Sequence, residues 1–259
     1  MAGTEDVTDD ALYVLTALLL TPAQFPSVLG DDFPAACATL GIAPHPEGYG
    51  LVLGQDENGA RWTVVVDDVS LVAVAIATWD CGIEYDLSPD ERSIVASLPG
   101  WPLAVAVSAP GIPEPHDPDD QSPLVPPDTE QWGPAQRRLG ADEIALQWAT
   151  WREQLSGDEA FAAPDIAPDK PSGPAARVIE ELHGYVASPP PVGRVRSTYA
   201  PDGARTVRAD GPGWSMVART DDIAFLLLDE APGEVLPLGR GAKLPALLEA
   251  LEALAVRPA

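Results

Sequence analysis

Residues 50–76, GLVLGQDENGARWTVVVDDVSLVAVAI, are the stretch from which the architecture is read. An apolar run ends at Gln55. Asn58-Gly59 follows, the strongest short signal for a tight hairpin turn. Trp62, Val64 and Val66 then alternate with Thr63, Val65 and Asp67, the period-2 pattern of a strand. After Asp67-Asp68, a second apolar run from Ser70 to Thr78 predicts a central strand buried on both faces. Residues 193–228, GRVRSTYAPDGARTVRADGPGWSMVARTDDIAFLLL, repeat the order with Asp202-Gly203 as the turn, Trp214 opening a strand and Asp221-Asp222 before an apolar run. NGAR at 58–61 answers DGAR at 202–205, and DDVSLVAVAI answers DDIAFLLLDE. Short connections between neighbouring strands argue for antiparallel pairing.

The remaining segments frame these two units. A helix is expected from about Thr8, with Thr8 as N-cap and Leu12, Leu15 and Leu19 in a core-facing row, ended by Pro22 and Pro26. A short helix starts at Pro34 and stops before Gly41. Ser88-Pro89-Asp90-Glu91 has the form of a capping box and predicts a helix to about Leu98, and PLAVAVS at 102–108 predicts a strand. Residues 109–134 hold eight prolines and read as an extended loop. Ile144, Trp148, Trp151 and Leu155 predict a helix stopped by Gly157. Pro174 opens another helix, and Leu244, Leu247, Leu248, Leu251 and Leu254 form the stripe of a last one. The expected class is α+β, in two pseudo-symmetric halves, each helix–antiparallel β-meander–helix, joined through a central helix and Pro-rich loops. The divisions are 1–108, the linker 109–134, the central helix and loop 135–173, and 174–259.

The chain has 259 residues, enough for one large domain or two similar halves with a core. It carries 15 basic and 40 acidic residues, a net charge of −25. The charge is uneven, since residues 1–130 hold 22 acids against Arg61 and Arg92 alone. Such a field repels nucleic acid and anionic membranes and attracts basic surfaces. Arginine outnumbers lysine 13 to 2, a usage that fits a GC-rich genome. The N-terminus is acidic, and the apolar run 11–20 is shorter than the ~20 residues that span a bilayer. A cytoplasmic location is therefore expected.

Cys37 and Cys81 match no metal or disulfide spacing and read as core residues. His45, His116 and His183 show no i, i+4 pairing, and the cluster His116, Asp117, Asp119, Asp120 reads as an acidic loop rather than a cation cage. No GxSxG, CxxC or P-loop occurs, and GRGAK at 239–243 reads as a loop–helix junction. Asp67-Asp68 and Asp221-Asp222 read as turn chemistry ahead of paired acid/base groups. No catalytic residue, metal site or cofactor is expected. Two features point to binding. Arg194, Arg196, Arg205 and Arg208 flank the Asp202-Gly203 turn as a basic ribbon suited to the acidic N-terminal half or to an acidic partner. Trp148, Trp151 and Leu155 line one helix and form a candidate anchor for a partner helix or peptide.

From Tyr49 onward, YGLVLGQDENGARWTVVVDDVSLVAVAI followed by SPDERSIVASLPG resembles the EspG family, cytosolic chaperones of actinobacterial type VII (ESX) secretion. The resemblance covers residues 49–100. It implies two quasi-symmetric α/β halves that shield the aggregation-prone tip of a helical secreted substrate, without enzymatic activity. The proline-rich segment 109–134 and the acidity depart from that pattern, and no binding residue is carried over individually. The expectation is a non-enzymatic, chaperone- or adaptor-like protein that holds an apolar helical segment between the Trp148/Trp151 helix and the Leu-rich C-terminal helix. The alternatives are an acidic inhibitor or immunity-type protein neutralising a basic partner and, last, a carboxylate-dependent hydrolase using Asp67 or Asp221.

Overall fold

A computed structural model describes residues 12–70, 72, 89–119, 121–128, 130–154, 173–241 and 243–257. The chain is α+β, with two antiparallel sheets, one in each of two compact units. The first unit comprises residues 1–21 and 38–127, and the second comprises residues 22–37 and 128–259.

The first unit holds a four-stranded sheet in the order β1 (Tyr13–Leu20), β2 (Tyr49–Gln55), β3 (Arg61–Val66), β4 (Ile94–Pro99). The β2–β3 hairpin forms as the sequence predicts, with Gly54 opposite Trp62 and Gln55 opposite Arg61. Its turn needs Gly59, whose φ of +90° is in the region L side chains avoid. A Cβ there would also lie 2.7 Å from the Pro113 carbonyl oxygen. One face packs Ala17, Val52, Val64, Val66 and Val72 together with Leu12, Val14 and Leu19. The other face carries Leu51, Leu53 and Val65, all fully buried. The Pro-rich segment is fastened to this unit by the buried Gln55 side chain. Its amide donates to the carbonyls of Gly59 and Pro113, and its oxygen accepts from the Ala109 amide.

Several expectations for this unit are corrected. Residues 13–20 form β1, not a helix. LYVLTALLL is uncharged and apolar but for Thr16, so a helical row can be found in it, yet Tyr13, Val14 and Thr16 favour a strand and β2 supplies the partner. Asp90 caps only a single tight turn at Glu91–Ser93, accepting from the Arg92 amide, and Ile94-Val95 then continue as β4. The β-branched pair and a hydrogen-bonding partner in β3 override the capping signal. Residues 102–108 are irregular rather than a strand. Ser70 and Val72 are helical where a strand was expected, and residues 71 and 73–78 lie outside the described residues.

The second unit is a five-stranded meander in sequential order: β5 (Val195–Tyr199), β6 (Arg205–Gly211), β7 (Trp214–Arg219), β8 (Ala224–Leu228) and β9 (Ala231–Leu238). Alternation decides which helices cover which face. Val207, Ala209, Met216, Ala218, Leu226 and Leu228 face α4 (Pro174–Ala187) and α5 (Leu244–Leu254). Val217, Phe225 and Leu227 face the opposite way, against Ala141 and Ile144 of α2 (Pro134–Leu146) and Trp148 of α3 (Trp148–Gln154). The expected single helix through Ile144 and Trp151 is thus two, starting at Pro134. Helix α1 (Phe33–Thr39) matches its prediction, and Gly41 after it has a φ of +68°. In the DGAR turn, Asp202 and Gly203 both take positive φ, 63° and 79°.

Candidate functional site

Arg196 of β5 and Arg208 of β6 are buried on the sheet face covered by α2, whereas Arg194, just before β5, and Arg205 are half-buried. Arg196 and Arg208 are each 7% exposed. They meet Arg137 and Arg138 of α2, both fully buried, and the segment 22–37. At the centre lies Asp210, itself buried on β6. Its Oδ1 pairs with Arg138 Nη1 at 3.1 Å and accepts from Ser215 Oγ at 2.7 Å, and its Oδ2 accepts from Arg196 Nη2 at 3.0 Å. Arg208 donates through Nη1 to Asp142 of α2, which also accepts from Ser27. Arg137 pairs with Asp31 at 2.7 Å and Asp229 at 2.9 Å, while Arg194 pairs with Asp32 at 2.9 Å. Phe25 lies under two guanidiniums, 4.5 Å from that of Arg196 and 5.0 Å from that of Arg138.

Burial disfavours every charge in this cluster, and only mutual pairing keeps the groups ionised. Burial would raise the Asp210 carboxyl, but Arg138, Arg196 and Arg208 outweigh it and hold it well below the usual carboxylate range. Burial, reinforced by the Arg208 charge, brings Arg196 down to about 10. Arg208 is also opposed by burial, yet Asp142 and Asp210 leave it above its ordinary value. These groups are permanent charges across the physiological range.

The other predicted binding residues are distributed differently. Arg205 donates to Ser197 Oγ at 2.7 Å, pairs with Glu252 at 3.2 Å and lies 4.4 Å from the ring of Tyr199, which is 88% exposed. Trp148 is 9% exposed, meets Phe225 edge-on at 5.1 Å, and donates to Asp222 at 3.3 Å. Trp151 packs partly buried against the same cluster, and Leu155 lies outside the described residues. Asp222 also takes Arg152, and Asp221 takes Arg219, so this acidic pair is occupied by local partners. Cys37 is buried, and burial, aided by Asp32, pushes its thiol up to about 11. Among the described residues, no group of three or more His, Cys, Asp or Glu is placed to hold a metal ion. Arg61 pairs with Asp117 of the His116 cluster.

A surface that sequence reading missed is the outer edge of β1. Among the described residues, this strand ends its sheet and pairs only with β2. No described hydrogen bond reaches its outer side. It carries no charge and no proline, its side chains from Val14 to Leu19 are mostly half-buried, and Tyr13 is 45% exposed. A bulge at Leu15 leaves Thr16–Leu20 in regular register. The other edges are managed. Leu124 bonds to Pro99 at the end of β4, Val256 bridges to β5, and β9 contains Pro232, Glu234 and Pro237. The signal for β1 was present in the absence of charges from 11 to 20, but the helical assignment concealed it.

Among the described residues, no helix is long and apolar enough to cross a membrane. No family model, curated protein or solved structure matches this chain.

Proposed function

We propose that this protein is a non-enzymatic binding protein of the chaperone or adaptor kind, acting in the cytoplasm, and that it takes a partner segment by strand addition to the open edge of β1. The observation that carries this reading is the uncharged, proline-free edge of β1, unpaired among the described residues, beside three edges that are bridged or guarded. Main-chain hydrogen bonds along such an edge supply affinity without requiring a fixed sequence. The occupant is an extended apolar segment with basic flanks. The first unit contains 18 acidic residues against Arg61 and Arg92, so its field favours Lys- or Arg-flanked chains and opposes a second copy of itself. The EspG-like pattern at 49–100 points to the same class of work, although the open surface suits an extended segment rather than a helical tip.

The test is to isolate the tagged protein with its bound partner and map hydrogen exchange with and without that partner. Slowed exchange across Tyr13–Leu20, retained at about 0.5 M salt, where charges are screened within a few ångströms, is the expected result. Unchanged exchange in β1 would overturn the proposal. A basic partner that leaves as salt rises would instead favour the second reading, an acidic neutraliser, which rests on the 18-to-2 charge imbalance alone.

A further inference from the structure

Residues 22–37 lie in the sequence between two parts of the first unit, yet they belong to the second. Asp31 pairs with Arg137 at 2.7 Å, and its carbonyl accepts from Arg138. Asp32 pairs with Arg194 at 2.9 Å, Ser27 donates to Asp142, and Phe25 lies under Arg138 and Arg196. Each of these partners is C-terminal to residue 127. Gly193 makes room for the segment, since a Cβ there would lie 2.8 Å from that of Phe33 and 2.9 Å from the Pro22 carbonyl oxygen. Phe25, Leu29 and Phe33 are all buried. The segment is thus a strap, carried by residues 1–127 and seated on residues 128–259.

Charge fits the strap to its seat. Without the strap, Arg137, Arg138, Arg194, Arg196 and Arg208 are paired only with Asp142, Asp210 and Asp229, an excess of two positive charges. The strap holds Asp31, Asp32 and no basic residue, so it brings the network to neutrality. A bare seat leaves guanidiniums unpaired and the strap's apolar side chains in water, so the seat has to be covered. The cover need not come from the same copy. Helix α1 runs unbroken through the division at residue 37, so the strap changes copy only together with residues 38–127. The joint for that exchange is the link before Asp128. Leu124 is bonded to Pro99 in the first unit, and the Asp128 carbonyl accepts from Gln136 in the second, which leaves Val125-Pro126-Pro127 between them. Proline fixes its own φ and holds the preceding residue extended, so this link is a stiff rod. Short, stiff hinges favour exchange between copies.

We propose that the partner of this seat is a second copy of the chain: two copies pair by exchanging straps, each laying residues 22–37 on the arginine face of the other's second unit. Every contact of the strap is made again across the pair, so exchange uncovers no surface. The competitor is the chain's own strap, whose effective concentration at its own seat is in the mM range for a short link. Like charge on the two first units opposes the pair at low ionic strength, whereas the buried strap contacts are screened little, so salt favours exchange. The β1 edge takes no part.

Two full-length variants test this. Asp32→Arg reverses the strap and Arg194→Asp reverses the seat, so each variant alone sets like charges together within its own copy. Refolded together, they restore opposite charges only by exchange, because one contact of the mixed pair is then the original and the other its reversed counterpart. Native mass spectrometry is expected to show a one-to-one mixed dimer, against single chains for either variant alone and for a chain carrying both changes. A mixture that stays monomeric while the doubly changed chain folds would overturn the proposal. Should the doubly changed chain fail to fold, the wild type decides. Refolding it from urea at about 1 mM rather than about 1 μM, to bracket the effective concentration of a short link, is expected to raise the dimer fraction at least about tenfold, and the dimer persists on dilution. Monomer at both concentrations would overturn the proposal. So would a dimer that disappears in Tyr13→Lys with Thr16→Lys, since it would be held by β1 edges rather than by straps.

Discussion

Replacing Asp210 by asparagine leaves three buried guanidiniums around a neutral amide. Breaking a buried charge network by removing one partner typically costs about 3–5 kcal/mol, and urea unfolding of Asp210→Asn is expected to show a loss of that size. Ser215→Ala, which removes only the hydroxyl donor to Asp210, is expected to cost about 1 kcal/mol. The pH dependence has a definite sign. The folded carboxyl lies below its unfolded value, so Asp210 contributes stability above the ordinary carboxylate range, and that contribution is lost as pH falls below about 4. Asp210→Asn should flatten the acid limb of the wild-type stability curve, and an unchanged limb would assign it elsewhere. Cys37 is the opposite kind of residue, buried with its thiol held protonated. Peptide-resolved alkylation at pH 8 is expected to label it roughly 100-fold or more slowly in the native than in the unfolded chain, because the thiolate is the reacting species. Little of the network was legible in the sequence. Alternation reads Arg194 and Arg196 as one strand face, although β5 begins only at Val195, and alternation of Arg with Val resembles the pattern of a strand with one wet face. Only the pairing of Asp210 with α2 residues distant in sequence shows that the face is dry.

At the scale of elements, legibility follows the specificity of the local signal. Asn58-Gly59 and Asp202-Gly203 fixed their hairpins because few residues tolerate the backbone those turns need. Helix α5 was legible because Leu244, Leu247, Leu248 and Leu251 form a stripe that the sheet buries. The failures at 12–20 and 94–99 are strands lacking clear alternation, one apolar throughout and one at a sheet edge, where the competing helical reading had equal local support. The same contrast predicts edge behaviour. Tyr13→Lys with Thr16→Lys places charges on β1 while leaving its ladder to β2, and is expected to abolish partner protection with little loss of stability. Val107→Lys with Val125→Lys, at exposed positions of the same unit, adds equal charge elsewhere and should leave binding within a few fold. Equal losses in both pairs would mean that charge rather than the strand edge holds the partner. Conversely, Pro232→Val with Pro237→Val removes a safeguard from β9 and is expected to produce concentration-dependent association, measured by light scattering.

For the molecule as a whole, charge is partitioned rather than merely large. The first unit sets 18 acidic residues against two basic ones, and the second sets 22 against 13. Many of the second unit's acids are consumed in ion pairs, some deeply buried. Repulsion in the first unit has few internal partners, Arg61 with Asp117 being one. Exposed like charges repel over the Debye length, which is about 30 Å at 0.01 M ionic strength and about 8 Å at 0.15 M. Buried pairs are screened far less. Added salt should therefore stabilise the first unit and leave the second nearly unchanged. Hydrogen exchange separates the two within one sample, using β2 and β3 as reporters of the first and β7 and β8 as reporters of the second. Potassium chloride is the salt of choice, because it avoids the general stabilisation that sulfate and phosphate give. Raising it from 0.01 to 0.15 M is expected to slow exchange in β2 and β3 severalfold and in β7 and β8 little. Equal slowing in both sheets would show that the charge acts on the whole chain as one body. No slowing in the first sheet would show that its acids lie too far apart to repel, which would remove the electrostatic argument for a basic-flanked partner while leaving the open β1 edge in place.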